Sequence, residues 1–502
     1  MDPTPAGQGL SRREVLVRAG GLAALSLGLP RLVLAQPRAI LTPALDVTLA
    51  PTPTQVQILP GAMTNVWRYE ATVNAGSPAS VSPIPGSYLG PIIRARTGDR
   101  IRVRVNNQTP EPTITHFHGL EVPADADGHP RAGHAPGTTR VHDFTILNRA
   151  GTYWFHPHTD MATESQVMKG LAGLFLVSDC EEDALDLPRG EHDIPIVLQD
   201  RTFDSGNQIV PATMTMSGFY GDQILVDGFP NFTLSAGTRV YRLRFLNGCH
   251  SRIFKLAWDD GTPLTAIATE GGLLPAPATR GYVMLSPGER VDLWVDLRGR
   301  AVGTQLTMRS LSFSSSGLGA GGIQHGSTYD LFRVSVDRAE SDSRVLPATL
   351  SSIVRHRVED VPGPAKVIPI TFDMTSMWVM NGGPFVLEGV GANEIVRLGE
   401  LTLWEFTNLG TMPIMPHPMH MHGAQFQILD RRMAGAGTQP SNYATVSAGF
   451  IDSGWKDTFL IMPGEIVRIL SRQSKHTGLF VYHCHNLVHE DMGMMRNFRV
   501  DA

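Results

Sequence analysis

Tyr482-His483-Cys484-His485-Asn486-Leu487-Val488-His489-Glu490-Asp491-Met492-Gly493-Met494 reads as a strand that runs out into a loop. Successive side chains of a strand point to opposite faces, so Cys484 faces one way and His483 and His485 the other. Further along, His489 and Met494 offer an imidazole and a thioether. Cys, His and a weakly bound Met are three of the four donors of a blue-copper centre, and one imidazole has to come from elsewhere. His483 and His485 offer theirs to a second centre. One cysteine then joins two metal sites through its own backbone.

Working outward, the chain holds three more places where imidazoles gather. His417-Pro418-Met419-His420-Met421-His422 carries three, and His116-Phe117-His118 and His156-Pro157-His158 carry two each. With the opening stretch, ten of the 18 histidines fall in these four places, a clustering that scattered surface or core histidines do not produce. A lone His-x-His is weak, because it also fits a zinc site or a pair of surface imidazoles. Zinc, however, has no need of a thiolate set between two outward imidazoles with a thioether downstream. Four pairs together with that arrangement point to copper.

The pairs sit in repeated surroundings. Gly151-Thr152-Tyr153-Trp154-Phe155-His156 parallels Gly478-Leu479-Phe480-Val481-Tyr482-His483. Gly98-Asp99-Arg100-Ile101-Arg102-Val103-Arg104-Val105-Asn106 leads to His116, as Gly399-Glu400-Leu401-Thr402-Leu403-Trp404-Glu405-Phe406-Thr407 leads to His420. A middle copy, Gly237-Thr238-Arg239-Val240-Tyr241-Arg242-Leu243-Arg244-Phe245-Leu246-Asn247, keeps the strand alternation with no His-x-His after it. Short alternating strands bounded by turn residues, in a chain with 51 glycines and 36 prolines, predict an all-β protein built of sandwiches. The length exceeds one hydrophobic core and implies about three domains.

In order and spacing, these four histidine motifs resemble the copper signature of the multicopper oxidases: laccases, ascorbate oxidases and bacterial cuprous oxidases. The resemblance covers nearly the whole chain after residue 35. It implies three cupredoxin-like Greek-key domains, at 36–180, 181–345 (without copper ligands) and 346–502. It also implies four copper ions. His417 completes the type 1 site with Cys484, His489 and axial Met494. His116 and His420 hold the type 2 ion, and His118, His156, His158, His422, His483 and His485 hold the type 3 pair. The trinuclear cluster then lies between the first and third domains. Asp127 and Glu490 match positions that relay protons in bacterial relatives. Gly454-Trp455-Lys456-Asp457-Thr458 resembles a segment beside the type 1 copper in cuprous oxidases, so Asp457 is expected to contact the electron donor. Phe117 and Met421 depart from the family's usual Trp and Leu, but neither is a ligand.

The activity implied is one-electron oxidation of phenols, aromatic amines or low-valent metal ions, coupled to four-electron reduction of dioxygen to water. Two rivals share the fold. A non-enzymatic scaffold of the cell-division type has lost copper ligands, and an electron carrier needs only the Cys484 site. A copper nitrite reductase lacks the paired histidines. Methionines crowd His417 (Met412, Met415, Met419, Met421) and recur at Met374, Met377 and Met380, where thioethers suit cuprous ions but also fill core gaps.

The first 35 residues read as an address. Ser11-Arg12-Arg13-Glu14-Val15-Leu16 precedes an apolar run, Gly20 to Leu29, and Val33-Leu34-Ala35 is a small-residue cleavage pattern. The run is too short to span a bilayer, and the paired arginines resemble a twin-arginine export signal, with Val15 where Phe is commoner. The expected location is the periplasm or another exported compartment, reached by the twin-arginine machinery, with no stable membrane span after processing. Removing four arginines with Asp2 and Glu14 takes the net charge from −5 to −7. No basic block is present, which excludes a nucleic-acid partner. Of the three cysteines, Cys180 and Cys249 are read as small buried residues, with a disulfide the alternative. Ser312 to Ser327 reads as a surface loop, and Asp337 to Pro364 as a linker.

Overall fold

Alternation along Arg100–Asn106 buries Ile101, Val103 and Val105 and leaves the intervening arginines half-exposed. This strand runs parallel to Leu45–Val56 and antiparallel to Thr139–Thr145. The trio recurs twice. Val240–Asn247 lies parallel to Asp193–Arg201 and antiparallel to Arg290–Asp296. Leu401–Thr407 lies parallel to Lys366–Asp373 and antiparallel to Glu465–Arg472. Each copy faces a second sheet with its own parallel pair: Ile92–Arg96 with Gly173–Ser178, Thr233–Gly237 with Tyr329–Arg338, and Ile395–Arg397 with Met495–Asp501. Parallel neighbours inside antiparallel sheets require the chain to cross between sheets, as Greek-key sandwiches do. The protein is all-β, with three cupredoxin-like sandwiches whose sheets, among the described residues, have four and five, six and five, and five and five strands.

The computed structural model describes residues 42–213, 215–314, 323–375, 377–410, 415–434 and 440–502. The export signal expected at 1–35, half of the Ser/Gly loop (315–322) and Met412 fall outside them. Among the described residues, no helix is long and apolar enough to cross a membrane. Cys180 and Cys249 are both free. The expectation of two buried cysteines holds only for Cys249; Cys180 is exposed at the start of the short helix Cys180–Asp183.

Each sandwich has its own core, and apolar seams join them. Trp154, Leu174, Val197, Leu225 and Leu246 seal the first to the middle. Ile253, Met284, Leu460 and Met462 seal the middle to the third. Met168, Phe219 and Val488 meet where all three converge. Each such side chain contributes about 1.5–3 kcal/mol when fully buried, and Pro43–Ala502 forms one compact unit.

One turn at the first seam carries a pH signature. Asp227 and Gly228 have φ of 52° and 85° in the tight turn after Gln223–Val226, a conformation that favours Asp-Gly. Asp227 Oδ1 accepts the Val197 N–H at 2.8 Å, and its carbonyl accepts the Ser87 hydroxyl at 2.6 Å. Burial pushes its carboxyl up to about 7 from 3.8. The folded state therefore binds more protons than the unfolded chain between about pH 4 and 7, so this group's contribution to stability is lost as pH rises through that window. Asp227→Asn keeps the acceptor and the turn but cannot ionise. Its Tm is expected to gain on wild type progressively from pH 4 to pH 8, as read by thermal melts across that range.

Candidate metal centre

Register brings the histidines together. Thr115–His118 pairs with Gly151–Pro157 so that His116 lies opposite His156. His417–Met421 pairs with Gly478–Cys484 so that His420 lies opposite His483 and Met419 opposite Cys484. Phe117, Tyr153 and Phe155 point into the core of the first sandwich, and Phe480, Tyr482 and Cys484 into that of the third. Their strand neighbours His116, His118, His156 and His483 therefore point away from both cores, toward the seam between the two sandwiches. Alternation also puts His417 on the Cys484 face of its strand and His420 and His422 on the other.

At the seam the rings form two triplets, His118/His156/His485 and His158/His422/His483, with His116 and His420 beside them. All eight are buried. The outward ring nitrogens are held by the protein. His116 Nδ1 donates to the Asp127 carbonyl at 2.6 Å, His420 Nδ1 to the Asp457 carbonyl at 2.8 Å, and His156 Nδ1 to the Pro157 carbonyl at 2.7 Å. His422 Nδ1 donates to Asp127 Oδ2 at 2.7 Å and His483 Nδ1 to the Cys484 carbonyl at 3.1 Å, with Glu490 Oε2 3.1 Å from the same nitrogen. His118 is turned the other way, donating from Nε2 to Asp457 Oδ1 at 3.1 Å.

A neutral imidazole that donates from one nitrogen presents a bare lone pair on the other. His116 Nε2, His118 Nδ1, His156 Nε2, His420 Nε2 and His485 Nε2 are buried without a protein partner. His483 Nε2 lies 3.2 Å from His158 Nε2 and 3.3 Å from His422 Nε2. With the Nδ1 protons of His422 and His483 committed elsewhere, those Nε2 atoms face each other as lone pairs, which repel unless a cation lies among them. Burial holds His116, His118, His158, His420, His422 and His485 well below the ordinary imidazole range, in the neutral form a metal requires. The donor set fits copper, which imidazole suits.

The second centre lies on the other face of Cys484. Its Sγ is 3.6 Å from His417 Nδ1 and 3.6 Å from His489 Nδ1, and the three donors form a buried group. Burial pushes the thiol well up, so a thiolate here needs a neighbouring cation. Met494 is buried in the same core, and its carbonyl accepts the Cys484 N–H at 3.0 Å. Two contributors carry no sequence signal. The Met216 carbonyl, from the middle sandwich, accepts His489 Nε2–H at 2.9 Å and the Trp378 indole N–H at 3.0 Å. The Trp378 ring packs edge-on to His417 at 4.6 Å.

Asp127 and Glu490 both lie at the seam, beside His422 and His483. Burial pushes the Asp127 carboxyl well up. Burial works the same way on Glu490, but the adjacent His483 outweighs it and holds Glu490 below the usual carboxylate range. Asp457 does not stand where it was expected. It is 1 % exposed and touches His118 and His420 rather than the Cys484 centre. Thr458–Ile461 runs antiparallel to His417–Met421, so Thr458 faces His420 and only Ile461, at the far end, faces His417. Asp457 therefore cannot meet a donor arriving from solvent.

The middle sandwich also reaches the seam. Gly288 has φ +83°, and a Cβ there would lie 2.9 Å from His485 Cδ2 and 3.2 Å from His118 Cε1. Gly288→Ala is expected to cost about 1–2 kcal/mol in the left-handed backbone. It should also lower oxygen uptake severalfold by displacing those rings, while a visible spectrum keeps the Cys484 centre unchanged.

Three Greek-key sandwiches, a thiolate centre in the third and an imidazole cluster shared with the first define a copper oxidoreductase. Family models described as multicopper oxidase match residues 65–182 and 361–502. The bilirubin oxidase of Albifimbria verrucaria is 30% identical over 457 residues, covering 86% of this chain and 76% of that protein. A laccase of Bacillus stratosphericus is 28% identical over 466 residues, covering 82% and 89%. The crystal structure of the McoA multicopper oxidase from Aquifex aeolicus superimposes with a TM-score of 0.78 at 30% identity, over 92% of this chain and 97% of that one. The chain belongs to the multicopper oxidase family, copper-binding enzymes that use dioxygen and a reducing substrate.

Proposed function

We propose that this protein oxidises phenols, aromatic amines or low-valent metal ions (cuprous, ferrous) one electron at a time and reduces dioxygen by four electrons to water. Broad laccase-type activity is the main reading, with metal oxidation alongside. The names of the laccase and bilirubin oxidase relatives favour small aromatic donors. The ligand assignment is one type 1 ion at His417, Cys484, His489 and axial Met494, and one type 2 ion at His116 and His420. The type 3 pair divides between His118/His156/His485 and His158/His422/His483, following the two buried triplets. Bound there, copper supplies one-electron redox chemistry and storage of the electrons that dioxygen needs.

The chain's own residues do the rest. A single observation carries the reading: Cys484 lies in one buried donor group while its neighbours His483 and His485 lie in two others. One residue of covalent path thus joins donor side to oxygen side. Asp127 and Glu490, buried behind the cluster and beside its rings, offer carboxyl groups for passing protons to the water that forms, Asp127 favouring the protonated form and Glu490 the ionised one. The outward hydrogen bonds fix each ring's tautomer and direction.

An electron carrier has no use for the eight imidazoles at the seam, and a scaffold has no need to keep every donor. Domain limits at 36–180, 181–345 and 346–502, and export of the chain by a twin-arginine signal at 1–35 to the periplasm or beyond, belong to the same proposal. Dioxygen uptake by the copper-loaded, leaderless protein tests it, with cuprous copper and with a simple phenol, alongside copper content and the visible spectrum. Four coppers, an intense blue band and steady uptake are expected. A loaded blue protein that consumes no oxygen with either donor sinks the enzyme reading.

A further inference from the structure

Arg290 belongs to the sandwich that supplies no ligand, yet it is fully buried at the seam. Its guanidinium forks onto Asp457, Nη1 to Oδ1 at 2.7 Å and Nη2 to Oδ2 at 2.6 Å. Nε donates to the Thr152 carbonyl of the first sandwich at 2.8 Å, and Nη1 also to the Gly288 carbonyl of its own turn at 2.9 Å. One side chain thus ties all three sandwiches together. The far side of Asp457 is the part that matters. Oδ1 accepts His118 Nε2–H at 3.1 Å and the Thr458 hydroxyl at 2.9 Å, and the Asp457 carbonyl accepts His420 Nδ1–H at 2.8 Å. Gly119, next to His118, is open at this point: a Cβ there would lie 2.4 Å from Asp457 Oδ2 and 2.5 Å from Arg290 Nη2.

We propose that Arg290 is the positioning residue of the trinuclear cluster, fixing Asp457 so that His118 presents Nδ1 and His420 presents Nε2. The idea rests on the copper reading above. His118 is the ring turned opposite to its neighbours, and a rotation would carry Nδ1 away from the triplet. Asp457, held by both guanidinium arms, accepts from Nε2–H and selects that tautomer.

The repeat supports a specific task. Ser286-Pro287-Gly288-Glu289-Arg290-Val291 matches Met462-Pro463-Gly464-Glu465-Ile466-Val467 of the third sandwich. Glu289 and Glu465 close the two turns alike, accepting the Ser286 N–H at 2.7 Å and the Met462 N–H at 2.6 Å. Ile466 occupies the equivalent strand position, opposite Thr407 as Arg290 is opposite Leu246. The turn and strand are therefore built without an arginine, and Arg290 is an addition to them.

Arg290→Lys and Arg290→Gln in the full, copper-loaded chain test this. Lysine keeps a cation in the pocket but cannot fork onto both carboxylate oxygens, and glutamine removes the charge. In both variants blue absorbance per chain should persist while total copper falls, so the ratio of blue absorbance to copper rises, up to about fourfold if only the type 1 ion remains. Oxygen uptake should fall by roughly 10–100-fold, the usual cost of losing a partner that orients a metal ligand. Wild-type copper content and uptake in both variants would overturn the role. So would loss of the blue band in step with the rest, which marks Arg290 as a general support of the fold. A wild-type chain that binds no copper overturns the underlying copper reading, and this role with it.

Discussion

Cys484→Ser is expected to abolish the blue band and bring dioxygen uptake to background while leaving the protein folded. The sulfur is the thiolate donor between His417 Nδ1 and His489 Nδ1, each 3.6 Å away. A serine hydroxyl stays protonated and hard, and copper loses the thiolate that defines a blue site. The backbone has no reason to move, because strand pairing and the N–H to the Met494 carbonyl do not involve the side chain. A buried hydroxyl without a partner costs about 1–3 kcal/mol, a modest part of a large chain's stability. His483 and His485, on the opposite face, should still bind, so copper content falls by one ion per chain. Metal analysis, the visible spectrum and an oxygen electrode on one sample check all three points. Retained uptake would show that electrons bypass Cys484.

Asp127→Asn should slow dioxygen uptake by roughly 10–100-fold with the metal content unchanged. Asparagine keeps an oxygen for His422 Nδ1, which donates to Asp127 Oδ2 at 2.7 Å, and the backbone carbonyl that holds His116 at 2.6 Å is untouched. What it loses is the ability to take up and release a proton on a fully buried group. Stopped-flow bleaching of the blue band by a phenol should therefore proceed at the wild-type rate, and re-oxidation by dioxygen should slow. Slowed bleaching would assign Asp127 to the donor side instead.

Where the sequence misled is instructive. The Gly454–Thr458 segment carries no local mark of which end of its strand meets which centre, and antiparallel pairing put Asp457 beside His420. Cys180 and Cys249 were alike by composition, but a helix start at the surface exposed one and the middle core buried the other. Arg290 left a trace, since it stands at the variable position of the Pro-Gly-Glu-x-Val repeat where the third copy has Ile466, but an arginine in a metal-free copy suggests nothing about a metal. The Met216 carbonyl left none, because any residue supplies a carbonyl.

By itself the sequence determined the inventory of donors and the faces they occupy. Strand periodicity is local and covalent: once Cys484 faces a core, His483 and His485 must face away. The threefold repeat determined the sandwiches for the same reason. Only the tertiary structure decided which imidazoles share a triplet, that Asp457 stands on the oxygen side, and that the middle sandwich reaches in through Gly288 and Arg290. Those facts depend on how separate sandwiches dock, through contacts such as His118 to Asp457 across 339 positions of chain, which no local pattern encodes.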